Sequence, residues 1–583
     1  MSRIFVLLAV LGGAPIGDPV SDLSFVDARY AARSLSELYP ARAVVLFFTT
    51  AGCPVAERTL PVLAEIEKRF RDAGLRVAAV NVGRDDTIVE MAAQGHEAGA
   101  EFPFLRDFDG AAARALSVTL SGQAVLLDGE RRLVYRGRVA SRFRLGGVSP
   151  GASREDLALA IEDVLAGRPV AVPETAAEGC PIERESDRPP DKSVTYARDV
   201  APILARLCVG CHAAGGDGPF PLDTYDLAVK RARAIASAVR EGRMPPWFAS
   251  PRHRGDFVNE RVLDEAERRT IRDWVAIGTP LGDAGLAPPP RAEEPAPGGF
   301  AIGEPDLVLT LAEEETIPAA GDLDYRYRLF PHVFPDDTWI SKIEIKPENR
   351  RVVHHANLGW VSLKERFDVN ENFVTGYVPG GRPTVLEPGT AFRIPKGATL
   401  GLEIHYVPTG REETDRISVG LVFPREEIAR RIRHLAITTT RFEIPPGAPA
   451  HRVTAAETLS ADAVGVGLFA HMHWRGKDFV IRAHPPGGGP PETLLAIPNY
   501  SFDWQMPYVW PKGARRFPKG TRLECDARFD NSPFNPFNPD PARAVHFGLQ
   551  TRDEMMYGFF FYTKEGESLS LRVDPATGRA ARR

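Results

Sequence analysis

Sulfur and imidazole are scarce in this chain: 583 residues carry only five Cys, seven Met and 13 His. So few cysteines exclude a disulfide-stapled scaffold, and any clustering among so few such residues is informative. No concentrated stripe of Lys and Arg is present, and 72 basic against 77 acidic residues leave a formal charge of −5. The basic footprint needed to grip phosphates is therefore missing, and no nucleic-acid partner is expected. No segment reaches the ~18 uninterrupted apolar residues that span a bilayer. Internal repeats with a period of roughly 20 to 50 residues are also lacking. With 43% hydrophobic and 26% charged residues, the composition excludes a disordered chain.

At roughly 150 residues per domain, the length predicts about four domains. Residues 1–17 hold Arg3 and the apolar run Ile4 to Leu11, then small residues and Pro15. This reads as a short signal peptide or as a first β-strand. Pro and Gly mark the seams at residues 167–193 and 285–301, both predicted as linkers. Between them, residues 20–166 alternate strand-like runs (Ala43 to Thr49, Leu75 to Val82, Gln123 to Leu127, Arg132 to Val139) with a helix over Val55 to Phe70, as in an α/β layer fold. Residues 194–284 are helical, with Val200, Ile203, Leu204 and Leu207 at helical spacing and Leu263, Ile271, Trp274 and Val275 in a later helix. Beyond residue 302 the period changes to two. Leu400, Leu402 and Ile404 alternate with Gly401, Glu403 and His405, which predicts all-β sandwiches over 302–430 and 431–583.

Cys208-Val209-Gly210-Cys211-His212 is a C-x-x-C-H motif. Two thiols at this spacing reach the two vinyl groups of one porphyrin, and the adjacent imidazole becomes the proximal iron ligand. A zinc site would need further Cys or His ligands nearby, and this block offers only His253. Met244, in Arg243-Met244-Pro245-Pro246-Trp247, is the candidate sixth ligand, with His253 in reserve and core filler as the alternative role for the methionine. The pattern from Tyr196 to Gly282 resembles the haem domains of bacterial c-type cytochromes in multidomain exported proteins. The resemblance implies an all-α cytochrome c domain with covalent haem c, and a periplasmic or otherwise extracytoplasmic protein with no membrane span once the signal is removed.

Thr50-Ala51-Gly52-Cys53-Pro54-Val55 follows a buried strand and opens a helix, where a helix dipole activates a thiol. With Glu101-Phe102-Pro103-Phe104 and the closing hairpin, the block resembles the thioredoxin-like redoxin family. It departs from that pattern in three places, one of them Leu46, where a peroxiredoxin P-x-x-x-T-x-x-C has its proline. Ala56 stands where a C-x-x-C would have its second thiol, and Leu120-Ser121-Gly122-Gln123 replaces the loop with the cis-proline. Dithiol exchange at one C-x-x-C is excluded. Cys53 is then either an inert core residue or paired with Cys180 in a structural or slow redox disulfide, and Cys525 has no assigned role.

Ten of the 13 His lie beyond residue 302: His332, His354, His355, His405, His434, His451, His471, His473, His484 and His546. His471 and His473 are two apart on a predicted strand, so both project from the face opposite Val464, Val466 and Leu468 and can share an ion; Met472 falls on the core face. The neighbours His354 and His355 point to opposite faces of a regular strand, so joint ligation requires a bulge or a strand end. Imidazole suits zinc, copper and iron, whereas a thioether selects Cu(I). Val353-His354-His355-Ala356, Leu402-Glu403-Ile404-His405-Tyr406, His471-Met472-His473-Trp474 and Asp553-Glu554-Met555 resemble, in order and spacing, the copper type II, ascorbate-dependent monooxygenases, the family of peptidylglycine α-hydroxylating monooxygenase and dopamine β-monooxygenase.

That resemblance implies two jelly-roll-like sandwiches with two mononuclear copper sites. His354, His355 and His405 would bind an electron-transfer copper, and His471, His473 and Met555 the catalytic copper that meets O2, with Met556 competing for the last role. Where the peptide-amidating members hold a carboxylate, this chain has Phe469, Tyr557 and Phe559, which points to a more apolar small-molecule substrate. Ascorbate is not a general bacterial supply of electrons. The expectation is therefore an exported copper monooxygenase fed through the on-chain haem by an external donor. Two alternatives stay open: a non-hydroxylating electron-transfer or copper-binding protein, and a thiol-dependent peroxide reductase centred on Cys53.

Overall fold

The computed structural model describes residues 13–150, 153–184, 187–214, 216–288, 299–362 and 372–581. Most of the signal-peptide segment and the centre of the second linker lie outside the described residues. The chain divides into two compact units, 1–190 with 237–244, and 191–236 with 245–583.

The first unit is built on a seven-stranded sheet. Its elements are β1 (Ser24–Asp27), β2 (Ala32–Ser34), β3 (Ala43–Thr49), α1 (Pro54–Phe70), β4 (Leu75–Asn81), α2 (Ile88–Glu97), β5 (Phe104–Arg106), β6 (Gln123–Asp128), β7 (Leu133–Arg138) and α3 (Asp156–Leu165). The strand order is β2-β1-β5-β4-β3-β6-β7, with β3, β4 and β5 parallel and β6-β7 an antiparallel hairpin. All seven residues of β3 are buried, as a central parallel strand covered on both faces requires. Pro54 occupies the first turn of α1, where its missing N–H costs nothing, and Cys53 is the N-cap.

The first predicted linker does not hang free. Residues 173–182 lie along the open edge of β7 and across the Thr119–Gly122 loop. The Arg136 N–H donates to the Pro173 carbonyl at 3.0 Å, the Thr175 N–H to Arg136 at 3.2 Å, and the Ile182 N–H to Thr119 at 3.0 Å. An edge strand has unpaired backbone groups, and this segment satisfies them although its Pro- and Glu-rich composition reads as loose.

The second unit begins with helices α4 (Ala201–Leu207), α5 (Tyr225–Glu241, its last turn counted with the first unit) and α6 (Glu265–Ala276). Val200, Leu204, Val209 and the fully buried Trp274 form their core, with Tyr196 set against Tyr225 and Trp274. Two pairs of antiparallel sheets follow. The first pair contains β8 (Leu307–Thr310), β9 (Arg326–Val333), β10 (Lys342–Pro347), β11 (Val353–Ser362), β12 (Phe373–Tyr377), β13 (Thr384–Val385), β14 (Ala398–Tyr406) and β15 (Ile417–Val422). Its sheets run β8-β15-β10-β13 and β9-β14-β11-β12. Leu309, Ile343, Val419 and Leu421 of one join Leu358, Leu400, Leu402 and Ile404 of the other in a single core.

The second pair contains β16 (Arg433–Thr438), β17 (His451–Thr458), β18 (Ala463–His471), β19 (Gly476–His484), β20 (Glu492–Ile497), β21 (Tyr508–Val509), β22 (Arg515–Phe517), β23 (Arg522–Phe529) and β24 (Tyr557–Lys564). Its sheets run β16-β24-β18-β21, with β22 also on β18, and β17-β23-β19-β20. Cys525 of β23 is fully buried where the two sheets meet, which gives the unassigned thiol a packing role. It faces Gly558 of β24, and a Cβ there would stand 2.2 Å from the Cys525 sulfur. Gly558→Ala is therefore expected to destabilise the second unit by about 1–3 kcal/mol through overpacking. Calorimetry should show its transition lowered and the partner change Cys525→Ala partly restoring it.

Candidate functional site

His355 pairs with His405 across β11 and β14, while Val353 pairs with Tyr406, so His354 is an extra residue in the ladder. This β-bulge turns two consecutive imidazoles toward a third. One ring nitrogen from each of His354, His355 and His405 lies within 4.8 Å of the other two. The His354 and His355 Nδ1 atoms are 3.0 Å apart, and those of His354 and His405 3.2 Å. Asp503 Oδ1 sits 3.0 Å from His354 Nε2, and the contact holds the Asp503 carboxyl below its ordinary value. His355 Nε2 is buried without a hydrogen-bond partner.

His471 and His473 are placed differently from the strand prediction. β18 ends at His471, and Val466 is a bulge residue against β24, so the parity read from Val464 and Val466 does not carry through to the histidines. Both imidazoles are nonetheless buried, at 3% and 1% exposure. Gln505 Oε1 lies 2.6 Å from His471 Nδ1, and the Asp553 carbonyl 3.2 Å from His473 Nδ1. Each contact places the proton on Nδ1 and leaves the Nε2 lone pair for a ligand, and His473 Nε2 is buried and unpartnered. The His473 and Arg475 N–H groups donate to the buried Glu554 carboxyl at 3.0 and 2.6 Å, tying this loop to the segment before Met555. His471 pairs with Tyr557, and Met555 stands between that strand and Glu554, whose carboxyl takes the His473 N–H. Met556 is fully buried. Met472 is fully buried, its backbone bracketed by the Tyr500 hydroxyl.

The two imidazole sets share walls. Tyr325 is buried with an unpartnered hydroxyl, and its ring lies 5.4, 5.0 and 5.9 Å from those of His355, His405 and His473. Phe502 stacks on His354 at 5.0 Å and reaches His473 at 6.1 Å. The His355 and His471 rings are 6.2 Å apart. Burial pushes all four enclosed imidazoles down, His405 to about 3 and His471 to about 4, so they stay neutral. Met555 packs with Phe469, Tyr557, Phe559 and Phe373 in an aromatic cluster.

In the helical part, the His212 N–H donates to the Cys208 carbonyl at 2.9 Å, and His212 Nδ1 lies 2.9 Å from the Phe220 carbonyl, which puts the proton on Nδ1 and leaves Nε2 its lone pair. Cys211 lines a cavity of about 1240 Å³ together with Leu207, Gly210, Arg261 and Tyr377. Its sulfur is 3.9 Å from the Gly380 carbonyl, which also accepts from Arg261 at 2.9 Å. Asp217 accepts from the Gly380 N–H at 2.9 Å and from the Tyr377 hydroxyl at 3.2 Å. Tyr377 pairs with Ala356, the residue after His355. Met244 lies just past α5, its N–H directed at the Ala238 carbonyl. His253 does not serve as a reserve ligand, because Nδ1 meets Asp256 at 2.9 Å and Nε2 accepts from the Ala496 N–H at 3.0 Å.

None of Cys53, Cys180, Cys208, Cys211 and Cys525 is in a disulfide in the structure. Cys53 is buried at 1% exposure, and Cys180 packs against the core cluster that contains it. Tyr325, Asp503, Gln505 and Glu554 were not singled out from the sequence. Only the position of Glu554 beside the Met555 motif offered a signal. The other three come from loops with no local pattern.

Residues 16–136 match the AhpC/TSA family. Among solved structures, a hypothetical protein from Sinorhizobium meliloti is 26% identical, covering 30% of this chain and 97% of that one, with a TM-score of 0.28. A putative thiol:disulfide interchange protein DsbE from Chlorobium tepidum is 18% identical (26% and 96% covered, TM-score 0.22), and a peroxidoxin BcpB from Mycobacterium tuberculosis is 20% identical (26% and 94%, TM-score 0.20). No curated protein matches the chain. The N-terminal domain is thus a thioredoxin-like redoxin, an oxidoreductase module.

The neutral imidazoles predict a pH response of the metal-free protein. Unfolded histidine takes up a proton below about pH 6.5, whereas folded His471 and His405 resist until about 4 and 3. Stability is therefore complete above pH 6.5 and falls as the pH drops toward those values, by about 2 kcal/mol per histidine at pH 5. Denaturant titrations at pH 7.5 and 5.0 should show this loss, smaller in His405→Gln and His471→Gln.

Proposed function

We propose that the chain is a copper-dependent monooxygenase that hydroxylates an organic substrate with O2, drawing electrons through an on-chain c-type haem. The observation that carries this reading is the meeting of five imidazoles from both sandwiches: the Nδ1 atoms of His354, His355 and His405 converge, and His473 Nε2 is buried and unpartnered. A buried polar atom without a partner is costly, and a metal ion is one partner that would satisfy it. The donor set suits copper: five imidazoles, of which burial keeps His355, His405, His471 and His473 neutral, and a methionine in the segment that follows Glu554. His354, His355 and His405 would hold one copper, and His471, His473 and Met555 the other. Cys208 and Cys211 would carry the haem and His212 would bind its iron; the Phe220 carbonyl on His212 Nδ1 and the cavity beside Cys211 suit that role. Bound there, copper supplies one-electron redox chemistry and O2 activation, and haem an entry point for electrons from an external donor.

The protein's own groups do the positioning. Asp503, Gln505 and the Asp553 carbonyl orient His354, His471 and His473, and Tyr325 and Phe502 close the imidazoles off from water. The link from Cys211 to Gly380 and the pairing of Tyr377 with Ala356 join the C-x-x-C-H loop to the strand of His355 by few bonds. Phe469, Tyr557 and Phe559 beside Met555 present no cation to a carboxylate, which favours an apolar or aromatic substrate. Covalent haem attachment in bacteria takes place outside the cytoplasm, so the protein is exported on this reading. Among the described residues no helix is long and apolar enough to cross a membrane.

Metal analysis with electron paramagnetic resonance is expected to find two coppers per chain, and one in His471→Ala. Incubation with a chemical reductant, 18O2 and a panel of apolar aromatic compounds should place labelled oxygen in one product. Absence of copper from both proteins would overturn the reading. Copper and haem without labelled product would leave a non-hydroxylating electron-transfer protein in its place. In the reduced full chain, haem should reoxidise faster once copper and O2 are added.

A further inference from the structure

The redoxin domain lacks the second thiol of a C-x-x-C, and the structure delivers one from elsewhere. Cys180, 127 positions along the chain, packs against the core cluster that holds Cys53, the N-cap of α1. Its placement is built rather than incidental. The Ser121 N–H donates to the Cys180 carbonyl at 2.8 Å, Leu120 bridges Pro181, and the Ile182 N–H holds Thr119. Gly179 permits this approach, since a Cβ there would lie 1.7 Å from the Ser121 carbonyl oxygen. Ser121 occupies the loop beside the thiol and is fully buried, and its hydroxyl accepts from the Thr50 N–H at 3.0 Å.

We propose that Cys53 and Cys180 form a reversible disulfide that exchanges two electrons with an external dithiol. The proposal does not depend on copper or haem. In the oxidised pair, the half-exposed Cys180 sulfur is the one an incoming thiolate reaches, because Cys53 is buried beneath it. Attack forms a mixed disulfide on Cys180, breaks the Cys53–Cys180 bond and releases Cys53 as a thiolate. The partner's second thiolate then attacks its own sulfur in the mixed disulfide and frees Cys180. The sum is two electrons and two protons moved from the partner, which leaves as a disulfide, to the Cys53 and Cys180 thiols. The environment favours this order. Burial alone would raise the Cys53 thiol, but hydrogen bonds from Cys180, Ser121 and the Ala56 backbone outweigh it and hold Cys53 below the ordinary thiol value. Burial pushes Cys180 up to about 11, so Cys53 is the better leaving group.

The test uses the full-length protein, equilibrated over a range of reduced to oxidised glutathione ratios, acid-quenched, alkylated and peptide-mapped. The expected result is a single two-electron transition in which Cys53 and Cys180 disappear together into one cross-linked peptide and return on reduction. Reduction by limiting mercaptoethanol should place the transient adduct on Cys180. In Gly179→Ala, which keeps both thiols, the disulfide should be about tenfold less favoured, a shift of about 30 mV. Separate alkylation of the two thiols at every ratio would overturn the pairing. A cross-link that resists excess dithiothreitol in the folded protein would make it a fixed structural bridge and overturn the exchange. An adduct on Cys53 would overturn the order of attack.

Discussion

The bulge at His354 is the constraint on which the candidate site of the second unit depends. In a regular strand, alternate side chains leave by opposite faces, and one of two consecutive imidazoles would be lost to the other side of the sheet. One unpaired residue in β11 cancels that alternation and sets His354 and His355 beside His405 on the neighbouring strand. Bulges interrupt ladder hydrogen bonding, so their cost has to be offset by packing around them. Here the buried strand β14 and the stacked ring of Phe502 provide it.

The second imidazole pair is secured by different means. His471 closes a strand, and His473 lies in the loop beyond, where Glu554 takes its N–H and that of Arg475. The buried carboxyl is raised to about 8 by desolvation, yet it accepts backbone N–H groups that would otherwise have no partner. The two sets thus belong to separate sandwiches and meet over shared aromatic walls, with Tyr325 contributed by the first sandwich and Phe502 by the second. A site assembled this way is complete only when both sandwiches are folded.

The thiols show the same contrast between local and distant control. Cys208, Cys211 and His212 are held by hydrogen bonds within a few residues of one another. Cys53 receives its partner from a segment whose composition reads as a spacer. That segment is ordered by the free edge of β7 and by the Thr119–Gly122 loop, neither of which leaves a trace in its own sequence.

The elements of this protein were legible where one periodicity ran unbroken. The β3, α1, β4 and β6-β7 runs of the redoxin domain, the helix carrying Ile271 and Trp274, and the alternation through Leu400, Leu402 and Ile404 all follow from residue spacing, because local burial on one face is written locally. The histidine motifs and the thiols were equally readable as residue types in order. Tertiary structure alone decided which atoms meet: the bulge that Val466 puts into β18, the Gln505, Asp503 and Tyr325 side chains around the imidazoles, the second engagement of His253, and the return of Cys180 to Cys53. Each of these depends on contacts between segments far apart in the chain. Side-chain periodicity records which face of an element is buried, and it carries no record of what that face is buried against.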